Sequence, residues 1–371
     1  MAFASTQTVT LPETVEGKKY EYYYYNGTYG HKREVLTGPS AHTTFQEIPI
    51  IEVSGIFSDS FETRKEVALK VADACENIGF LLIKGHGVDQ AVIDETYEMS
   101  KWYFDHDLEW KEQCGIYKNE GLRGYEGIYG ARLDESLRKG DKKESFLYSY
   151  DPLADPTKPE LTADYRSKLF TNQWPADAPK FKEVLQNYQG QLLTLARALM
   201  RTFALGLGVE ETYFDGIIKA PFNSIKIIKY PTQEPDNISE IGIGAHTDFE
   251  TFTILSQDQV GGLEVLNKNG HYIPATPTPG TFVVNVGDFL QRISNERFIS
   301  TVHRVRNVTG QQRYSIPFFF AFDLDAYVKV LENCVSEDRP AKYEPLNVAE
   351  YTANLRKLQY GRFQKMLSQD A

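Results

Sequence analysis

The chain has 371 residues, 41% hydrophobic and 25% charged, with a formal net charge of −11. That suffices for a sizeable core, as one large or two ordinary domains, and the acidic balance argues against a nucleic-acid binder, which needs a concentrated basic surface. No apolar run is long enough for a membrane span and the N-terminus does not resemble a secretory leader, so a soluble, cytoplasmic protein is expected.

Cys75, Cys114 and Cys334 are odd in number, widely spaced and without a metal-ligand pattern, which reads as free thiols in a reducing compartment. Asn26, Asn237 and Asn307 begin glycosylation-type triplets that, without a secretory route, are expected to be chance.

Residues 1–44 show no sustained periodicity and are expected to form an arm. Its YEYYYYNGTYG (Tyr20 to Gly30) is aromatic-rich and ends in turn residues. The arm reads as packed across the body of the protein, or alternatively as closing part of a substrate entrance. IPIIEVSG (Ile48 to Gly55) is a short strand, followed by a helix with Asp59 or Ser60 as N-cap and Val67, Val71, Ala74, Cys75 and Ile78 at helical spacing. FLLIKGHG (Phe80 to Gly87) is a buried strand stopping at glycines, and a helix capped by Asp89 follows. His86, between two glycines, reads as structural. GLRGYEGIYG (Gly121 to Gly130) is glycine-rich, but no GKS/T and no strand-to-helix context makes it a phosphate loop. A long helix is expected from Asp177, as its cap, to about Leu205, with Pro179 in its first turn and an apolar face from Phe181 to Phe203.

PFNSIKIIKYP (Pro221 to Pro231) is a strand on which Ser224, Lys226, Ile228 and Tyr230 share a face. An inward Lys226 is costly unless it meets an acid, either a carboxylate of the protein or an acidic group of a substrate. IGIGAHTDFETFTIL then places His246 and Asp248 two residues apart. On one strand both would face the same side, with Thr247 turned away. His303, in the strand-like FISTVHRVRNV, supplies a second imidazole. Two imidazoles and one carboxylate on one side of a divalent ion leave its other side open, the arrangement used for non-haem Fe(II). In RYSIPFFFAF, Arg313, Ser315 and Phe319 share a face. A guanidinium aimed into an apolar interior needs a partner, and a ligand carboxylate supplies one.

HTDF, QDQVGGLEV, NVGDFLQRISNERFISTVHRV and RYSIPFFF, in this order, resemble the catalytic domain of the Fe(II)/2-oxoglutarate-dependent dioxygenases, in the branch similar to isopenicillin N synthase. The resemblance spans roughly residues 45–360. It implies a mixed α and β fold with a double-stranded β-helix (jelly roll) core and flanking helices. The expected division is an N-terminal arm (1–44), a region completing the barrel (45–175), the core with its backing helix (176–330) and a C-terminal helical segment (331–371). By resemblance, His246, Asp248 and His303 hold Fe(II), and Arg313, Ser315 and Tyr230 bind 2-oxoglutarate, with O2 as the other co-substrate. Many plant members carry Asn where this chain has Ile228. Residues 121–130 and 141–150 resemble the segment across the barrel mouth. Phe249, Phe319, Lys226 and Arg123 are expected to contact a small-molecule substrate, with Tyr125 and Arg132 as further candidates.

The implied reaction is oxidation of a C–H bond of a small molecule in specialised metabolism, by hydroxylation, desaturation, ring closure or rearrangement. Two other readings stay open. One is an oxidase like isopenicillin N synthase that uses no 2-oxoglutarate. The other is a non-catalytic small-molecule receptor on the same fold. Monomer and dimer are both open.

Overall fold

Alternation along Asn223–Tyr230 and Arg313–Phe320 sets the architecture. Their even and odd side chains face two different cores. Ile225, Ile227, Ile316, Phe318 and Phe320 look outward onto helices, while Ile228 and Tyr230 look inward with Leu263, Val265, Val283 and Val305. The computed structural model describes residues 14–15, 18–25, 28–119, 121–133, 140–233 and 240–355. Within these, eight strands join in the order Ile50–Glu52, Phe80–Lys84, Thr281–Val286, Phe252–Gln257, Arg313–Phe320, Asn223–Tyr230, Glu144–Ser149 and Gly124–Glu126. Every pairing is antiparallel except the first.

A smaller sheet faces it, in the order Thr14–Val15, Lys18–Tyr25, Ile243–His246, His303–Val305, Leu263–Leu266 and Tyr272–Pro274. The long helix Pro179–Leu207 lies behind the large sheet, burying Leu185, Tyr188, Leu192, Leu195, Leu199 and Phe203. Full burial of each such side chain contributes about 1.5–3 kcal/mol. Helices Phe61–Asn77 and Gln90–Phe104 pack on it. Ser60 rather than Asp59 caps the first of these, and Asp89 caps the second.

One expectation needs correction. Asp177 does not cap the long helix. The N-cap is Ala178, without a side-chain bond, and Asp177 instead accepts from the Trp110 indole at 3.1 Å. The arm, expected to pack across the body, does so in a regular form that its sequence does not announce. Lys18–Tyr25 and Thr28–Glu34 form a hairpin, and Lys18–Tyr25 adds in parallel to Ile243–His246, with Tyr24 opposite His246. The hairpin then crosses the outer face of the small sheet. Tyr23 packs with Ala245, Leu266 and Val302, and Arg33 donates to the carbonyls of Leu266 and Asn267 at 3.1 Å each.

The three cysteines are buried free thiols. Asn307 is buried and donates to the carbonyls of Pro231 and Gln311, which leaves no room for a glycan. Asn26 and Asn237 lie outside the described residues. So do Leu358 and Tyr360 of the expected C-terminal helix, which is helical over 348–355. No described helix is long and apolar enough to cross a membrane.

Candidate metal centre and anion pocket

His246 is the last residue of its strand and Asp248 lies beyond it, so the pair is not carried by one strand as expected. The chain turns there because residues 248–251 bond to the start of another segment. Asp288 N–H donates to the Asp248 carbonyl at 2.8 Å, Gly287 N–H to Thr251 at 2.9 Å and Phe289 N–H to Glu250 at 3.2 Å. A Cβ at Gly287 would sit 2.1 Å from the Glu250 carbonyl oxygen, so only glycine permits this approach.

The turn brings the carboxylate to the imidazoles all the same. Asp248 Oδ1 lies 3.6 Å from His246 Nε2 and 3.7 Å from His303 Nε2. His303 stands directly across the ladder from His246. One ligand atom from each of the three falls within 4.8 Å of the others. Thr247 points away and donates to Asp288 Oδ2 at 3.2 Å.

The remaining polar atoms of the trio are occupied by the protein. Nδ1 of His246 lies 2.7 Å from the Gly244 carbonyl, and Nδ1 of His303 lies 3.1 Å from that of Thr301. A carbonyl only accepts, so each Nδ1 carries a proton and Nε2 is the ring atom left to face Asp248. Asp248 Oδ2 accepts from Thr253 Oγ1 at 2.6 Å and from Asn285 Nδ2 at 2.8 Å, leaving Oδ1 as the oxygen aimed at the imidazoles. Burial disfavours the Asp248 charge, but His303, His246 and Thr253 overcome it and hold the carboxyl well below its usual range. Burial and the neighbouring His246 bring His303 down to about 4, so its ring is neutral at physiological pH. Burial lowers His246, but its contact with Asp248 outweighs that and raises it, so a metal would displace a proton there. Two imidazole nitrogens and one carboxylate oxygen, converging in a buried site, then fit a borderline divalent metal.

Further along the same interior, Arg313 is completely buried. None of its three guanidinium nitrogens has a hydrogen-bond partner among the described residues. Its guanidinium lies 4.7 Å from the centre of the Tyr230 ring, and Tyr230 pairs with Arg313 across the ladder. Ser315 Oγ and Tyr230 Oη are 3.4 Å apart. A buried guanidinium with two hydroxyls beside it and no carboxylate bonded to it among the described residues fits an incoming carboxylate.

Lys226 has an acid. Its Nζ lies 3.1 Å from Glu126 Oε2, which also receives Lys143 at 2.9 Å and Ser145 at 3.3 Å. Of the two expected partners, the protein carboxylate is the one present. Phe319 is half-buried while Phe318 and Phe320 are wholly buried, so it borders open space. It pairs across the ladder with Thr253, which holds Asp248. Phe249 is half-buried in the turn beside Asp248.

Arg123 is buried at the other end of the large sheet, donating to the carbonyls of Gly121 at 2.8 Å and Leu122 at 3.1 Å and to Ser149 Oγ, over the Phe170 ring. These groups hold the side chain in this corner of the sheet. Tyr125 turns to Glu144 at 2.8 Å, away from the interior that Glu126 and Lys226 face. His86 stacks on Phe282 and accepts from Val88 N–H, the structural role expected of it. Thr253, Asn285 and Gly287 were not singled out in the sequence. The one available signal was a polar Asn285 inside the apolar run TFVVNVG.

A sequence profile of the 2OG-Fe(II) oxygenase superfamily matches residues 222–321, and one described as non-haem dioxygenase in morphine synthesis N-terminal matches residues 48–177. Over 336 residues the chain is 39% identical to the 2-oxoglutarate-Fe(II) type oxidoreductase ppzC of Metarhizium majus, covering 86% of this chain and 90% of that one. The chain belongs to the 2-oxoglutarate/Fe(II) oxygenases. This oxygenase is also 34% identical to the homoarginine-6-hydroxylase 2-ODD-C23 of Glycine max, over 78% of this chain and 90% of that one. The crystal structure of a full-length Neurospora crassa protein in complex with alpha-KG and thymine superposes with a TM-score of 0.72 at 28% identity, covering 84% of this chain and 96% of that one. As an oxygenase of this family it uses Fe(II), 2-oxoglutarate and O2, and its facing sheets are the family's double-stranded β-helix.

Proposed function

We propose that His246, Asp248 and His303 hold Fe(II), that Arg313, Ser315 and Tyr230 anchor the far carboxylate of 2-oxoglutarate, and that the oxygenase oxidises a C–H bond of a small organic molecule held against Phe249 and Phe319. The observation that carries this reading is the Arg313 guanidinium, buried with no hydrogen-bond partner among the described residues in the same interior as three convergent ligand atoms. When bound, iron and 2-oxoglutarate supply the oxidising power through decarboxylation of the keto acid to succinate and CO2.

The protein's part is placement. Backbone carbonyls fix both imidazole tautomers, Thr253 and Asn285 aim Asp248, and the two phenylalanines exclude water beside the metal side. The tyrosine face at 230 and the Ser315 hydroxyl orient a carboxylate on the guanidinium. Relatives named for homoarginine hydroxylation and a neighbour holding thymine support a small substrate, with hydroxylation as the outcome to test first. Three buried free thiols suit a cytosolic setting.

The test is an anaerobic titration of the metal-free protein with Fe(II) and 2-oxoglutarate, watching for the visible metal-to-ligand absorption band. The expected result is a saturable band that His246→Ala abolishes. No band in the wild-type protein overturns the reading and favours a binding module. Succinate released only with an added small molecule then identifies the substrate. Turnover without succinate would favour the oxidase that dispenses with the keto acid.

A further inference from the structure

We infer that Asp141 is the positioning residue of His246, holding the strand that carries this imidazole at the one point where its sheet pairing fails. The inference rests on His246 being a metal ligand. Strand Ile243–His246 pairs with His303–Val305 at both of its ends, His246 opposite His303 and Ile243 opposite Val305, but the register slips between them. Such an irregularity re-aims side chains and leaves backbone groups without their ladder partner. Gly244 sits inside the slip, and its N–H is taken by Asp141 Oδ1 at 3.2 Å. The carbonyl of the same glycine accepts from His246 Nδ1 at 2.7 Å. Asp141 thus fixes the residue that in turn fixes the tautomer and tilt of the imidazole.

The clamp is itself anchored. Asp141 is 1% exposed, its N–H donates to the Ala131 carbonyl at 2.6 Å, and its own carbonyl accepts from Tyr129 N–H at 3.1 Å. Next to it, Lys142 N–H donates to the Ile241 carbonyl at 2.8 Å, a second tie to the approach of the same strand. Gly140 permits this packing, since a Cβ there would stand 2.4 Å from the Ala131 carbonyl oxygen. A buried carboxylate carries a desolvation cost that a core position does not need. The Lys143 ammonium favours its charge from nearby, and its second oxygen has no hydrogen-bond partner among the described residues, so the bond its side chain makes is the one to Gly244.

The experiment titrates metal-free protein with Co(II) alone, following its visible ligand-field bands, for wild type, Asp141→Asn and Asp141→Ala, with melting temperatures recorded alongside. Asn keeps the acceptor for Gly244 N–H and Ala removes it. Asp141→Ala should bind Co(II) about ten- to a hundredfold more weakly, the usual effect of losing a support behind a metal ligand, and Asp141→Asn should stay within about threefold of wild type. Equal affinity in Asp141→Ala and wild type overturns the inference. So does an Asp141→Asn as weak as Asp141→Ala, which would assign the effect to charge. Should Asp141→Ala fail to fold, amide exchange in the wild type decides: a protected Gly244 N–H supports the clamp, and one exchanging like an exposed loop overturns it. A wild type that takes up no Co(II) instead removes the metal assignment beneath, an outcome separate from all of these.

Discussion

Lys226 and Arg313 stand on adjacent strands and point into the same interior, yet the protein has provided for them differently. The ammonium of Lys226 meets Glu126 at 3.1 Å, and Lys143, Ser145 and Tyr117 also donate to that carboxylate. The guanidinium of Arg313 is more deeply buried and has no hydrogen-bond partner among the described residues. A buried cation with an internal acid is a settled part of the fold. One without a bonded acid is left open to a negative charge from elsewhere, a place the proposed function gives to a keto diacid.

The largest effect should come from breaking the settled side. Glu126→Gln takes from Lys143 and Lys226 the anion they both bond to, leaving only the more distant influence of Asp141, and should lower unfolding stability by about 3–5 kcal/mol, measured by denaturant titration. A loss below about 1 kcal/mol would show that Lys226 needs no internal partner. The pH dependence follows from the same contacts. Burial pushes the Glu126 carboxyl up, but the two ammonium groups outweigh it and hold it below its ordinary value of 4.5. A depressed carboxyl contributes stability that is complete above the unfolded value and is lost as pH falls through the lower folded value. Glu126→Gln should therefore flatten stability against pH on the acid side of 4.5 and leave the neutral range parallel to wild type.

On the open side, Arg313→Leu should raise the apparent KM for 2-oxoglutarate about ten- to a hundredfold, the scale of one or two lost charge-assisted bonds. The same change removes an unpaired buried charge, so the ligand-free protein should melt no lower than wild type. A KM that does not move, or a large drop in melting temperature, would make Arg313 another settled cation.

A smaller effect is expected at Asn285, which supports Asp248 from 2.8 Å while Thr253 supports it from 2.6 Å. With one of two supports gone, Asn285→Ala should weaken Co(II) binding about tenfold. Unchanged affinity would mean that Thr253 alone aims the carboxylate.

The legible part of this molecule was the part encoded over short distances. The two-residue spacing of Arg313 and Ser315 does place both on one face of a strand, and the apolar face of the long helix lies where its periodicity put it. The spacing of His246 and Asp248 picked out two side chains that do converge, but for an incomplete reason. Strand alternation does not carry the carboxylate inward; a turn does, and it closes on Gly287 far along the chain. The partner of Lys226 was out of sight for the same reason, since Glu126 reaches it only through the pairing of three strands. The tyrosine run of the arm has no polar and apolar alternation, so nothing in it announced a hairpin.

That hairpin has a consequence for how the chain assembles. Tyr24 is made early on the ribosome, but the strand it docks on ends at His246, so the two cannot meet until most of the chain has emerged. Until then the backbone edge beside His246 stays open, an invitation to pair with another chain. Trimming the N-terminus to tidy a recombinant version would keep that edge open permanently, and poor yield or clumping of such a truncation would trace to the missing hairpin rather than to the barrel.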